Sequence, residues 1–349
     1  MTQTIMPNCG TEVFGGVDTH QDLHAAAVLD GNGQVLATRQ FPTTRHGYLG
    51  LIAWMRSFGS LQRVGVECTG SYGAGLVRYF AKEGIPVYEV TQPDKAMRRA
   101  KGKDDDIDAI AAALAVFTGQ RVRIAKDRSG AVEALRVLRT TRKTAVRSKR
   151  AALQQLHNTI VASPDELRAQ YRGRTRMALL RELSASRPDR IGFRDQEVAT
   201  RIALKSIARR IIALSDEISE LDDMIQPLVA ELAPTLLVLP GVGVECAGEF
   251  LVAAGDNPER LGSEASFAMF CGACPIPASS GKTVRHRLNR GGNRQANSAL
   301  HMVVLCRMRT DERTKAYVER RSAEGLSKRE IMRCLKRYVA REVYKVLVA

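Results

Sequence analysis

The chain is predicted to carry an α/β domain over residues 1–125, a long helical connector over 126–232 and a small α-rich domain over 233–349. Three observations predict this. Short apolar runs alternate with helix-spaced segments through the first part. Leucines and isoleucines at spacings of three and four run through the middle. Apolar helical runs joined by a tight glycine turn fill the last part.

Each element of the first domain follows from local pattern. Val13–Val17 and His24–Leu29 are short apolar runs. Asp30-Gly31-Asn32-Gly33 is hairpin-turn chemistry, and Val35–Phe41 returns as the partner strand. Arg45–Phe58 has helical spacing through Leu49, Ile52 and Met55. Val64–Glu67 reads as a buried strand, Leu76–Glu83 as a helix and Pro86–Val90 as a strand. Asp105–Thr118 is a helix with an alanine-rich face. Three antiparallel strands followed by alternating elements is the order of the RNase H-like fold.

In the connector, Leu204, Ile207, Ile211, Leu214, Ile218, Leu221 and Ile225 form a heptad stripe, read as a coiled-coil seam for a homodimer or tetramer. A helical hairpin packed on itself gives the same stripe. The preceding helix, Val132–Leu156, carries Arg136, Arg139, Arg142, Lys143, Arg147, Lys149 and Arg150. A solvated face and a nucleic-acid surface both account for that charge. In the last part, Ser327 and Glu330 form a capping box for a closing basic helix, Lys328–Leu347.

The formal net charge of +16 points to a polyanionic partner, and DNA or RNA is the obvious one. The basic residues are spread along the chain, which disfavours a membrane surface. No apolar run approaches a bilayer span, and the first residues lack the pattern of a secretory signal. Seven cysteines, an odd count, fit reduced thiols in a cytoplasmic protein. Cys271 and Cys274 form one CxxC, but no second ligand pair follows at zinc spacing.

Four carboxylates stand where chemistry is expected. Asp18 ends the first strand, Glu67 ends the fourth, and Asp105 and Asp108 share one helix face. Gathered together they would repel unless cations lay between them, and hard oxygen donors suit Mg²⁺ or Mn²⁺. Taken singly, each has an ordinary explanation as a turn, surface or helix N-terminal residue.

The motifs VFGGVDTH, GVECTGSYG and KGKDDDIDA resemble the three acidic motifs of the DEDD insertion-sequence transposases. These are RuvC-like serine recombinases related to the Piv invertase and guided by a bridge RNA. The resemblance implies that Asp18, Glu67, Asp105 and Asp108 are catalytic and hold the metal. Asp104 and Asp106 fall on the family's variable positions. It also implies a C-terminal transposase domain. Leu236–Leu251 resembles the family's PGIG segment, whose Gly241 and Gly243 can present backbone N–H groups to phosphate; a plain tight turn explains them equally. Phe267–Leu300 resembles the segment around the family's nucleophile, which places that role on Ser280, with Ser279 the alternative. Lys282, Arg285, Arg287, Arg290 and Arg294 surround it as nucleic-acid contacts, together with His286.

The implied activity is excision and insertion of a mobile DNA element by metal-dependent strand exchange through a phosphoserine, with a non-coding guide RNA as partner, in the bacterial cytoplasm at the nucleoid. Two other readings of the residues stand beside it. One is a RuvC-like junction nuclease using water. The other is a non-catalytic nucleic-acid-binding repressor.

Overall fold

The structure is a computed structural model that describes residues 11–90, 104–120, 122–189, 191–281 and 286–349. Two compact units form: Met1–Gly130 with Glu249–Ala349, and Ala131–Gly248.

The first unit is built on a mixed sheet. Strand β1 (Glu12–Thr19) pairs antiparallel with β2 (Leu23–Leu29), which pairs antiparallel with β3 (Val35–Pro42). After helix α1 (Arg45–Arg56), strand β4 (Ser60–Val66) lies parallel to β1. Helix α2 (Ala74–Lys82) then leads to β5 (Val87–Val90), parallel to β4. Helix α3 (Asp105–Thr118) precedes a short β6 (Val122–Ile124), antiparallel to β5. The strand order is β3-β2-β1-β4-β5-β6. This is the RNase H-like arrangement the element order predicts, extended by β6, which the sequence pattern did not reveal.

Strand alternation sorts the two faces of the sheet. Val17, Val28, Val64 and Val66 point to one face and pack with Leu51, Ile52 and Met55 of α1 and Leu76 and Phe80 of α2. Phe14, Ala25, Ala27 and Leu29 point to the other, against Ala109 and Ala113 of α3. Helix α3 approaches the sheet very closely at two glycines. A Cβ on Gly16 would stand 2.2 Å from the Ala109 carbonyl oxygen, and one on Gly65 would stand 2.4 Å from that of Ala112. The alanine-rich face of α3 is what makes this approach sterically possible.

Residues 249–349 complete the same unit. They comprise most of α9 (Val244–Ala254), a short 3₁₀ turn (Pro258–Leu261), α10 (Glu264–Phe270), a β7–β8 ribbon (Ile276–Pro277 with His286–Arg287), and helices α11 (Arg294–Thr310), α12 (Glu312–Ala323) and α13 (Lys328–Leu347). Arg260 joins them to the β6 edge. It is 7 % exposed and donates to the carbonyls of Ile124, Ala253 and Ala254. Asn257 binds both the Asp127 amide and the Ala125 carbonyl, and Lys126 donates to Val252. The α13 capping box forms as the Ser327–Glu330 pattern predicts.

The second unit is helical. Helix α4 (Ala131–Val161) and helix α7 (Gln196–Leu232) run antiparallel, with α5 (Asp165–Tyr171) and α6 (Arg176–Ala185) between them. The direction follows from two contacts: Arg142 pairs with Asp222, and Leu156 packs in the cluster of Leu204 and Ile207. The first part of the stripe read as a coiled-coil seam packs inside the chain, while Leu214 and Ile218 are half-buried. Leu204, Ile207 and Ile211 are buried against Ala152, Leu156, Leu167 and Leu183, which is the self-packed hairpin. The short α8 (Pro234–Val238) and the start of α9 close this unit, where Glu245 binds Arg139 and Arg142. Arg260 and Asn257 tie residues 249–349 to the chain at Ile124–Asp127, so these residues pack in the same unit as the sheet.

Candidate metal centre and serine loop

Asp18 and Glu67 come to adjacent carboxyl ends of parallel strands. The register pairs Val17 with Val66, the Glu67 amide donates to the Val17 carbonyl at 3.0 Å, and Thr19 Oγ1 donates to the Glu67 carbonyl at 3.0 Å. Asp18 shares parity with Gly16, and Glu67 shares parity with Gly65. Both carboxylates are thereby placed on the α3 side of the sheet. Cys68, directly after Glu67, has φ of +51° and is the non-glycine residue with positive φ among the described residues. Such a left-handed turn is costly for a side-chain-bearing residue and ends β4 abruptly beside the carboxylates.

Helix α3 supplies the other two. Asp104 is its N-cap and accepts from the Asp106 amide, and Asp106 accepts from Thr38 Oγ1 of β3 at 2.9 Å. Both therefore have structural roles at the helix start. Asp108 points inward and is 2 % exposed, whereas Asp105 lies at the rim. Burial raises the Asp18 carboxyl above its ordinary range, His20 pulls it back, and Asp108 and Asp105 push it up. Burial also raises the Cys68 thiol, helped by Glu67, Asp18 and Glu89 in that order. Of the four carboxylates, Asp18 and Asp105 come within ligand-sharing distance, and Glu67 and Asp108 are not part of that group among the described residues.

One residue of the cluster escaped the sequence reading. His20 Nε2 lies 3.1 Å from Asp18 Oδ2 and 3.3 Å from Asp105 Oδ1. Asp18, His20 and Asp105 offer ligand atoms all within 4.8 Å of one another. The signal was present as the DTH triplet: two residues after Asp18, an extended chain returns to the same face. The donor set fits a divalent cation, since two carboxylates and an imidazole can reach one ion at ordinary ligand distances. A cleft of about 410 Å³ opens beside it, lined by His20, Gln21, Gln40, Tyr72 and Asp105 among others.

Ser280 is exposed on the loop after β7, followed by Gly281 at φ +55°. None of the hydrogen bonds or ion pairs described for the acidic cluster includes it. Lys282 and Arg285 lie outside the described residues. Arg287, Arg290 and Arg294 are exposed, and among the described residues none is paired with a carboxylate. A groove of about 990 Å³ continues from this ribbon, lined by His286, Arg287, Arg333, Lys336, Arg337 and Arg341 among others. Gly241 (φ +73°) and Gly243 form the tight turn between α8 and α9, with Val242 buried beneath it. The buried Cys271 thiol is pushed up to about 12 by desolvation, which keeps it protonated.

Comparison with known proteins gives these features a context. A family model for DEDD transposases of the IS110 type, described as Transposase, matches residues 15–163. A second, described as Transposase IS116/IS110/IS902 family, matches residues 233–319. The chain is similar to the insertion element IS900 uncharacterized 42 kDa protein of Mycobacterium paratuberculosis, at 25 % identity over 90 % of each chain. It is also similar to the insertion element IS110 uncharacterized 43.6 kDa protein of Streptomyces coelicolor, at 32 % identity over 36 % of this chain and 31 % of that one. The first model spans every acidic motif and the second spans the serine loop, and from these matches the chain belongs to the IS110 family of DEDD transposases.

Proposed function

We propose that this transposase moves its DNA element by strand exchange at a composite site, in which Asp18, Glu67, Asp105 and Asp108 hold divalent metal and Ser280 attacks the DNA. The observation that carries the proposal is the meeting of buried Asp18 with His20 and Asp105, whose ligand atoms lie within 4.8 Å of one another at the end of β1 and the start of α3. Carboxylates gathered at that density, with one imidazole among them, favour a cation close by. A bound Mg²⁺ or Mn²⁺ supplies Lewis-acid activation of an attacking oxygen and stabilises a leaving one. The four carboxylates orient that chemistry at the carboxyl ends of the parallel strands.

Ser280 contributes a hydroxyl on an exposed loop, and Arg287, Arg290 and Arg294 are exposed on the chain that follows. Its Oγ bonds to phosphorus as its proton leaves and as the bond from phosphorus to the departing sugar oxygen breaks. That oxygen takes up a proton. Attack by the sugar hydroxyl of another strand reverses these steps and frees the serine. Arg287, Arg290 and Arg294 offset the charge that builds on the phosphoryl oxygens. Copies of the chain in a homodimer or tetramer bring serine and carboxylates together. The basic groove supports backbone contact with nucleic acid, which leaves sequence readout to pairing with a guide RNA.

The test is excision in cells combined with trapping of denaturation-resistant protein–DNA adducts. Asp18→Asn and Ser280→Ala each abolish excision, and Ser280→Ala abolishes the adduct. Excision that survives Ser280→Ala overturns the serine role. Free cleaved ends without an adduct point instead to a junction nuclease using water.

A further inference from the structure

We infer that His20 is a nitrogen ligand of the metal centre, which makes the site select Mn²⁺ over Mg²⁺. The inference rests on the metal reading above and adds a residue that the acidic motifs do not contain.

The backbone aims His20 at the site. Asp18 and His20 are two residues apart at the end of β1, so both side chains leave the chain on the α3 side. Helix α3 presents Asp105 from across the gap. The imidazole Nε2 thus lies between two carboxylate oxygens, at 3.1 and 3.3 Å. These separations suit three ligands facing one position, because the three ligand atoms stay within 4.8 Å of each other.

A second histidine holds the first in place. The His20 amide donates to His24 Nδ1 at 3.3 Å. His24 is fully buried on β2 and stacks on Tyr48 at 5.7 Å between ring centroids. Support of this kind around a ligand commonly sets metal affinity. His20 itself is 45 % exposed on the cleft side, so an ion can reach it without rearrangement of the core.

Donor chemistry then decides the ion. Mg²⁺ prefers oxygen and retains its waters. An imidazole nitrogen adds more to the binding of a first-row transition ion than to that of Mg²⁺, and of those ions Mn²⁺ is the one that also suits carboxylate oxygens. Two carboxylates with one imidazole therefore favour Mn²⁺ where an all-carboxylate centre would not discriminate as strongly.

The experiment uses the full chain without nucleic acid. Mn²⁺ is titrated and the loss of the free-ion paramagnetic signal is followed, with Mg²⁺ as competitor. Nitrogen modulation is then sought in the pulsed spectrum of the bound ion. The wild-type chain is expected to show that modulation and to bind Mn²⁺ at least about tenfold tighter than Mg²⁺. His20→Ala and His20→Gln are expected to lose the modulation and to weaken Mn²⁺ by about tenfold or more, with Mg²⁺ little changed. Bound Mn²⁺ without nitrogen modulation in the wild-type chain overturns the inference, whatever the variants do. Unchanged Mn²⁺ affinity in folded His20→Ala also overturns it, and leaves His20 as a counter-ion to the carboxylates. No Mn²⁺ uptake by the wild-type chain, or uptake unaffected by Asp18→Asn, overturns the carboxylate reading itself.

Discussion

Gly16 of β1 lies directly beneath Ala109 of α3, so close that a Cβ on the glycine would stand 2.2 Å from the alanine carbonyl oxygen. The contact is with backbone, which cannot rotate away. It sets the height of α3 above the sheet, and with it the reach of Asp105 and Asp108 toward Asp18. Gly16→Ala is expected to destabilise the chain by about 3 kcal/mol or more, since overpacking here displaces a helix. A chain that survives it should lose metal binding as well. Chemical denaturation together with Mn²⁺ titration reads both effects. Wild-type stability in Gly16→Ala would show that α3 is not seated on this glycine.

Asp18 presents the opposite balance. It is 7 % exposed and faces Asp105 and Asp108, so its charge is unfavourable in the metal-free fold. Asp18→Asn removes a repulsion and is expected to raise the metal-free Tm by a few degrees, on the scale of about 1 kcal/mol. The Tm increase that Mg²⁺ or Mn²⁺ gives the wild-type chain should vanish in the same variant. A metal response that persists in Asp18→Asn would place the cation elsewhere.

Asp106 separates helix anchoring from metal binding. Its carboxylate accepts from Thr38, one position along from Asp105 at the rim of the cluster. Asp106→Asn is expected to cost about 1 kcal/mol, the usual worth of one such bond, with metal affinity within about twofold of wild type. A loss of metal affinity equal to that of Asp105→Asn would put Asp106 among the ligands.

Arg260 attaches residues 249–349 to the sheet edge. Its guanidinium is buried, stacks over Phe270 at 5.7 Å and serves three backbone carbonyls. Arg260→Met leaves those carbonyls unserved and should cost about 3–5 kcal/mol. The expected signature in hydrogen exchange is faster exchange in β6 and the 3₁₀ turn, with α4 to α7 unaffected. Uniform loosening of the whole chain would contradict a local role.

Ile211 tests what the heptad stripe is for. It is fully buried among residues of α4 to α6 in the same chain. Ile211→Ala should destabilise the helical unit by about 2–5 kcal/mol. Sedimentation at fixed concentration should show no change of association state. Dissociation of an oligomer by Ile211→Ala, with the hairpin still folded, would assign the stripe to a partner copy.

Much of the candidate site was legible before the structure, because its placement is a matter of short periods. Asp18 and Glu67 end strands whose alternation is visible in Val13–Val17 and Val64–Glu67, and Asp105 and Asp108 are three residues apart on a capped helix. Charge and motif order carried the rest of that reading. His20 obeys the same two-residue period, but a histidine beside a strand end has no distinctive spacing until α3 brings Asp105 opposite it.

The amino-acid pattern by itself determined β1 to β5 of the sheet, their order along the chain and the acidic residues at the ends of β1 and β4. These depend on local backbone geometry and on which side chains prefer burial. Only the tertiary structure decided what those elements meet. It buried Leu204, Ile207 and Ile211 of the heptad stripe within the chain, because α4 folds back along α7. It joined residues 249–349 to the β6 edge, through an arginine and an asparagine more than a hundred residues from their partners. It placed His20 between Asp18 and Asp105, because two glycines let α3 settle onto the strands. Each outcome depends on a contact between distant segments, and apolar periodicity names a buried face without naming what buries it.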